Sequence, residues 1–145
     1  ISLPIPLLKL SQAEQVLNVV EAHLYTPMGL RSLSPEDPAY CPRYVGPPHA
    51  RDQAYHQGTV WSWLLGPYMN ALIRVRRKTG IIQAARVLDM VWPHLDEAGL
   101  GTISEIFDGE PPHTPRGCIA QAWSVAEILR AGIEIQTGVL GKVSP

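Results

Sequence analysis

The sequence predicts an all-α fold of about four helices joined by loops of very unequal length. Apolar residues recur at helical spacing in four segments, and no stretch of four or more residues alternates as a half-buried strand does. The chain contains 14 prolines and 12 glycines, which cluster between these segments and so indicate well-formed loops. We therefore expect helices connected by ordered loops, without a sheet.

Capping and helix-breaking residues set the expected helix bounds. Ser11 and Glu14 have the spacing of a capping box at the start of the first helix. Thr59 is the expected N-cap of the second helix, Gly66-Pro67 its expected kink, and Gly80 its expected C-cap. The predicted helices cover residues 11–24, 59–78, 81–98 and 118–131.

The loop lengths predict how the helices are arranged. The second and third helices have almost no connection between them, so they should be antiparallel neighbours. We expect a kink or an early end of the third helix at Pro93, and Gly132 should end the fourth. The long connections, residues 25–58 and 99–117, should then emerge at one end of the array. Both are rich in polar and aromatic side chains, which places the expected site there.

Composition excludes several classes of protein. The 145 residues are 46% hydrophobic and 17% charged with a net charge of -1, which predicts one domain with a buried core. No basic run is long enough to follow a phosphate backbone, so we expect no nucleic-acid partner. No apolar stretch approaches the roughly 20 residues of a membrane helix, so we expect no membrane partner.

Cysteine and histidine spacing indicates a protein without a metal or other cofactor. Cys41 and Cys118 lack the spacing of a metal site or a disulfide framework, and the five histidines are scattered. No nucleophile elbow, phosphate-binding loop or dinucleotide fingerprint occurs. The first residues lack a secretion signal and an initiator Met, so we expect a cytoplasmic fragment of a longer protein.

Three motifs contain the candidate site residues. Residues 51–63 combine Tyr55, His56 and Trp61 at the start of the second helix, a mixture that suits sugars because aromatic faces contact C–H surfaces. The spacing alone favours the alternative that Trp61 and Trp63 belong to the core and that His56 is an ordinary loop histidine. Gln121 and Trp123 lie in the first turns of the fourth helix, where Trp123 is also compatible with plain core.

Glu105 is the candidate catalytic group. It lies between Ile103 and Ile106, so its carboxylate should be partly desolvated and suited to act as a general base. An ordinary loop acid is the alternative interpretation. Asp108 precedes a glycine, as turn residues often do, and Glu110 precedes a proline and should be exposed.

Together these segments resemble the C-terminal glucosidase domain of glycogen debranching enzymes. The resemblance rests on residues 55–61, 103–109 and 121–124, with further similarity in 29–35 and 37–40. It covers residues 1–132, and residues 133–145 form a tail that it does not explain. It implies that the helices are part of an (α/α)6 toroid, completed by a missing N-terminal part of the same domain.

The resemblance also implies the reaction and its partners. The expected reaction is inverting hydrolysis of the α-1,6-linked glucose at branch points of glycogen or a branched α-glucan oligosaccharide, with Glu105 as the base. In the family the acid is an aspartate from an earlier part of the domain. The aspartates of this chain lie in a different sequence context, so none of them corresponds to it. The isolated chain should therefore be inactive. The residues expected to contact glucose are Tyr55, His56, Trp61, Asp108, Gln121 and Trp123.

Two other functions remain open at this point. One is a different glycosidase of the same barrel type, acting on trehalose, α-1,4-glucan or a mannosyl-glycerate type substrate. The other is a non-catalytic, helical glycan-binding module. Substrate profiling separates the first from the debranching reaction, and the effect of altering Glu105 separates the second.

Overall fold

A computed structural model describes residues 1–138 and shows both helices and a five-stranded antiparallel sheet. The expectation of an all-α fold, and with it the (α/α)6 toroid, is therefore wrong. The strands contain only two or three residues each, so they cannot display an alternation over four residues. Their pairing depends on contacts between distant segments rather than on local sequence pattern.

The regular elements follow one another along the whole described chain. The helices are α1 (Leu10–His23), α2 (Pro48–Ala54), α3 (Leu65–Val91) and α4 (Ala122–Thr137). The strands are β1 (Tyr25–Thr26), β2 (Gly29–Arg31), β3 (Val60–Trp61), β4 (Ile106–Phe107) and β5 (Pro115–Arg116). Short 3₁₀ helices cover Ser62–Leu64 and Trp92–Asp96. The strands lie in the sheet in their chain order, each antiparallel to the next.

Helix α1 begins earlier than the predicted capping box. The Lys9 backbone N–H donates to the Gln12 side chain at 3.1 Å, which satisfies one donor at the start of the helix. Ser11 and Glu14 consequently lie inside the helix. The predicted N-cap is wrong, although the predicted helix over 11–24 agrees closely with the observed Leu10–His23.

The helix that was predicted to begin at Thr59 begins six residues later, at Leu65. Thr59 precedes strand β3, and its hydroxyl donates to the Tyr55 carbonyl at 2.7 Å instead of capping a helix. Pro67 lies in the first turn of α3, where its missing N–H leaves no helical hydrogen bond unmade. The kink expected there is absent from the described helix, because the only non-helical residue inside α3 is Arg77, with φ 54° and ψ -122°.

At Arg77 the chain reverses direction. A Cβ on Gly80 would overlap the Leu72 carbonyl, so the segment after Arg77 packs back against the segment before it. Gly80 therefore permits close contact within the hairpin and does not end a helix. The second half of the hairpin ends at Val91, and Pro93 lies in the 3₁₀ helix that follows, as the early end expected there implies.

Helix α4 begins and ends later than predicted. Residues before Ala122 run alongside the loop that precedes β4, where the Gln121 N–H donates to the Ile103 carbonyl at 3.0 Å. Gly132 packs against Leu88 within the helix, which continues to Thr137 and ends at the left-handed Gly138. The predicted end at Gly132 is wrong. Residues 133–137 of the predicted tail are helical, and residues 139–145 lie outside the described part of the chain.

Helices α1, α3 and α4 share one hydrophobic core. Its most buried side chains include Leu17 of α1, Met69 and Leu72 of α3, and Ile128 of α4. Arg76 ties α1 to α3 through ion pairs of 2.6–2.8 Å with two glutamates of α1. Helices packed in this way give the sheet and its loops a rigid support.

Candidate active site

The sheet brings the three motifs together. Strand β3 contains Trp61, which lies opposite Ile106 of β4, the residue that follows Glu105. Ile106 in turn pairs with Arg116 of β5, from which the chain leads to α4. The motifs converge as expected, but they do so through strand pairing rather than at the ends of helices.

Glu105 lies in the middle of this arrangement with its side chain held from both sides. The residue is only 9% exposed. The Tyr55 hydroxyl donates to Oε1, and the Cys118 backbone N–H donates to Oε2 at 2.9 Å. A carboxylate has about four lone-pair sites, so each oxygen retains the capacity to accept another hydrogen bond. The carboxylate is thus oriented but still able to bind a water molecule.

The backbone that follows β5 approaches this carboxylate closely. Gly117 has φ 65°, and a Cβ on it would overlap Oε2 of Glu105. The Glu105 N–H also donates to the Cys118 carbonyl at 2.9 Å, so the two segments exchange hydrogen bonds. Only glycine fits at position 117 without moving the carboxylate.

Tyr55 supplies a donor that stays protonated over a wide pH range. Burial raises the pKa of the Tyr55 phenol well above its usual range, and the adjacent Glu105 carboxylate raises it further. The ring packs against His56 and Trp61, each with a centroid separation of 4.8 Å. Tyr55 therefore keeps the proton that it donates to Glu105 throughout the neutral pH range.

An aromatic surface adjoins the carboxylate. His56 is exposed and stacks on the buried Trp61 with centroids 5.0 Å apart and planes within 4°. Trp123 is 47% exposed and stacks on Trp63 at 5.5 Å, with its edge toward Trp61 at 6.1 Å. Such a surface presents ring faces to solvent in fixed orientations, as sugar binding requires. Trp63 ends the motif of residues 51–63 but is not among the residues expected to contact glucose, and the structure stacks it on Trp123.

Asp108 lies within the hydrogen-bonded framework of the loop, and its expected contact with glucose stays a prediction. It is buried, and its carboxylate accepts hydrogen bonds from Arg116 at 2.9–3.2 Å and from the Tyr44 N–H at 3.0 Å. These partners neutralise and occupy it, so the structure places it in the framework of the loop. Gln121 is half-buried immediately before α4, and its expected contact with glucose stays a prediction.

Two buried serines support the Glu105 segment. The Ser62 hydroxyl donates to the Ser104 carbonyl at 2.7 Å and lies 2.8 Å from the Ser124 hydroxyl. Both serines belong to the recognised motifs, yet nothing in their local sequence distinguishes them from surface serines. The pairing of distant segments gives them this role.

A second network of hydrogen bonds connects Arg31 of β2 and Tyr40 to the loop between β4 and β5. Arg31 donates to the Tyr40 hydroxyl at 3.2 Å and to the Gly109 carbonyl at 2.9 Å, and Tyr40 donates to Glu110 at 2.7 Å. Glu110 was expected to be exposed, and it is half-buried because it accepts this bond. The network links one residue from each of the segments 29–35 and 37–40 to the loop that follows Glu105.

Tyr40 is expected to make the folded protein less stable as the pH becomes strongly alkaline. Burial and the hydrogen bond to Glu110 raise the pKa of Tyr40 to about 12, whereas an unfolded phenol ionises near 10. Its contribution is therefore complete below pH 10 and is lost as pH rises toward 12. We expect Tyr40→Phe to lower the free energy of unfolding by about 1 kcal/mol at pH 8, and by less at pH 11. Urea unfolding at both pH values tests this, and an equal difference at both would contradict it.

Two further properties concern only residues 1–138. No cluster of three or more His, Cys, Asp or Glu side chains in this region has the geometry of a metal site. None of the helices described combines the length and apolar character needed to cross a membrane.

Comparison with known families identifies the family of the chain. A family model described as amylo-alpha-1,6-glucosidase matches residues 1–130, which include all three motifs and the whole sheet. The match confirms the resemblance to the glucosidase domain of debranching enzymes. The chain therefore belongs to the amylo-alpha-1,6-glucosidase family and is a glycoside hydrolase-like domain of that type.

Proposed function

We propose that Glu105 is the general base of an inverting glycoside hydrolase that releases α-1,6-linked glucose from branch points of glycogen or limit dextrin. The observation that supports this most strongly is the position of its carboxylate. Glu105 is held between the Tyr55 hydroxyl and the Cys118 amide, beside an aromatic surface that reaches solvent. Family membership supplies the reaction type.

The proposed step needs two carboxyl groups. Glu105 accepts a proton from water, and the oxygen of that water attacks the anomeric carbon of glucose. At the same time a carboxylic acid protonates the departing glycosidic oxygen. In inverting enzymes the two groups stand about 6.5–9.5 Å apart to leave room for the water. We assign the acid to an aspartate in an earlier part of the domain, since no aspartate in this chain lies in the sequence context that the family's catalytic acid has.

The aromatic surface is proposed to bind the apolar face of the sugar. Trp123 already stacks on Trp63 with one face, and its exposure leaves contact area for a glucose ring. His56, stacked on Trp61, extends the same surface. The proposed partner of this surface is a branched α-glucan. We also infer a reducing, cytoplasmic setting, because Cys41 and Cys118 are both free thiols.

Trp123→Ala is expected to raise KM for a branched oligosaccharide by roughly 2- to 10-fold, which corresponds to one lost aromatic contact. The effect on kcat should be within about twofold, because Glu105 and its two donors stay in place. Trp92→Ala is a matched control, since Trp92 is 44% exposed and lies outside the three motifs. Steady-state kinetics of both variants test the assignment. Equal KM values for the two variants would contradict it.

Glucose release from a phosphorylase limit dextrin tests the proposed function. A protein that includes the upstream part of the domain should release glucose, and proton NMR should detect the β-anomer first, because inversion of an α-linkage forms it. The 145-residue chain alone should release none, because the acid is outside it. Release by the short chain would show that both groups are already present.

The same assay separates the alternatives. Initial formation of α-glucose would contradict the inverting mechanism. Faster turnover of trehalose or linear α-1,4-glucan than of limit dextrin would assign a different substrate. Binding of branched oligosaccharide without turnover of any of these by the longer protein would replace the hydrolase with a glycan-binding module.

A further inference from the structure

We propose that His94 is a positioning residue for the catalytic carboxylate, and that Glu97 sets the tautomer in which it works. The inference rests on the proposed role of Glu105 as the base. His94 belongs to none of the three motifs, and it lies in the 3₁₀ helix that follows α3. It is 1% exposed, so its ring nitrogens depend on protein partners.

The hydrogen bonds of His94 allow only one protonation state. Its Nε2 lies 3.2 Å from the Ser104 backbone nitrogen, and its Nδ1 lies 2.8 Å from Oε2 of Glu97. A backbone N–H only donates, so Nε2 must accept and has no proton. The ring proton is therefore on Nδ1 and is donated to Glu97. A doubly protonated ring would place two donors against each other at Ser104.

The Ser104 peptide connects this histidine to the base. Ser104 immediately precedes Glu105, and its N–H is fixed by His94 while its carbonyl accepts from Ser62 at 2.7 Å. The His94 ring also packs edge-on against Phe107, two residues after Glu105, with centroids 4.8 Å apart. The backbone on both sides of Glu105 thus contacts one imidazole. The orientation of that backbone determines where the carboxylate meets Tyr55 and Cys118.

Glu97 lies at the surface end of this chain of contacts. Its side chain is 57% exposed, whereas His94 is buried. Among the described contacts of His94, Glu97 is the ionisable group that faces the ring. Removing its carboxylate leaves Nδ1 without its acceptor. The tautomer with a proton on Nε2 then becomes accessible, and that proton points at the Ser104 N–H.

Three variants separate positioning from bulk stability. His94→Gln keeps an acceptor at the end of a side chain of suitable length, whereas His94→Leu keeps the apolar volume and has no acceptor. In the longer protein that includes the upstream part of the domain, we expect His94→Leu to lower kcat roughly 10- to 100-fold with KM changed by less than about twofold, as displacement of a catalytic group does. His94→Gln should recover most of the loss. Glu97→Ala, a change at an exposed side chain, should lower kcat by several-fold while the protein stays folded.

NMR of the His94 ring reports its tautomer directly and does not depend on measuring activity. The ¹⁵N shifts of His94 should show a proton on Nδ1 in the wild-type chain and a mixture of tautomers in Glu97→Ala. If His94→Leu does not fold, the Glu97 variant and this spectrum still decide the question. A proton on Nε2 in the wild type, or equal loss of kcat in the Gln and Leu variants, would overturn the inference. Normal kcat in Glu97→Ala with an unchanged spectrum would do so too.

Failure of the inference differs from failure of the proposed function. If Glu105→Gln is inactive while all three variants turn over normally, Glu105 is the base and His94 does not position it. If Glu105→Gln is fully active, the proposed function is wrong. A His94 spectrum with Nδ1 protonated would then show only a structural hydrogen bond.

Discussion

Replacing Glu105 with Gln in the longer protein that includes the upstream part of the domain is expected to reduce glucose release roughly 10²- to 10⁴-fold, the usual contribution of a general base. An amide does not take a proton from water, yet it has nearly the same shape as the carboxylate. Its oxygen still accepts from the Cys118 N–H, and its NH₂ group can donate to the Tyr55 hydroxyl once that hydroxyl turns. The fold and the affinity for a branched oligosaccharide should therefore change little. Turnover and calorimetric binding measured on the same preparation test both halves of this expectation.

Two controls sharpen the result. Glu110→Gln is matched in chemistry and context, since Glu110 lies five residues further along the same loop and also accepts from a tyrosine hydroxyl. Its turnover should be near that of the wild type. A Glu105→Ala variant leaves space for azide, which attacks without a base, so added azide should restore cleavage and form a β-glucosyl azide. Undiminished turnover by Glu105→Gln would exclude it as the base.

Gly117→Ala is expected to lower turnover by roughly 100-fold, the cost of moving a reacting group by about 1 Å. The new methyl would overlap Oε2 of Glu105, so the carboxylate or the Gly117 backbone must shift. Either shift lengthens the hydrogen bond from Cys118, which orients Oε2. Steady-state kinetics with limit dextrin measure the effect.

Gly138→Ala separates this clash from backbone strain. Gly138 has φ 64°, almost the φ 65° of Gly117, but a Cβ there meets nothing within 4 Å. Both variants should therefore lose about 1 kcal/mol of stability from left-handed strain. Only Gly117→Ala should lose turnover. If both variants lost turnover to a similar extent, or if neither lost any, contact with Glu105 would not be the cause.

The helices were largely predictable because their signal is local. Residues 11–24 repeat apolar side chains every three to four positions, and α1 covers nearly the same segment. Strand β3 was missed because it contains only Val60–Trp61 and precedes a helical stretch, so Trp61 fitted the apolar stripe of that helix. The exchange of hydrogen bonds between strands over tens of residues has no local pattern. The break at Arg77, in contrast, lies one residue before residue 78, where the second helix was predicted to end because Gly80 marks that region in the sequence.

The sequence indicated which segments lie together at the candidate site, but not the contacts between them. Glu105 was recognised because apolar residues surround it, and burial with Ile103 and Ile106 agrees with that reasoning. The partners that orient it come from distant segments, as Tyr55 does, or from a backbone amide, as Cys118 does. Side-chain identity says nothing about a backbone donor. His94 was overlooked for the same reason, since its contacts with Ser104 arise only in the folded chain.

The pairing of strands in chain order also bears on how such domains diverge. Because β3 is flanked by β2 and β4, its immediate predecessor and successor, each inter-strand segment is an excursion that returns to the next place in the sheet. The hairpin of α3 is one such excursion, between β3 and β4. Lengthening or shortening the loops of such an excursion, outside the core helices, costs little, because loop-closure entropy grows only slowly with length. This topology therefore tolerates connections of different length while the neighbours of every strand, and the backbone around the Glu105 carboxylate, stay the same.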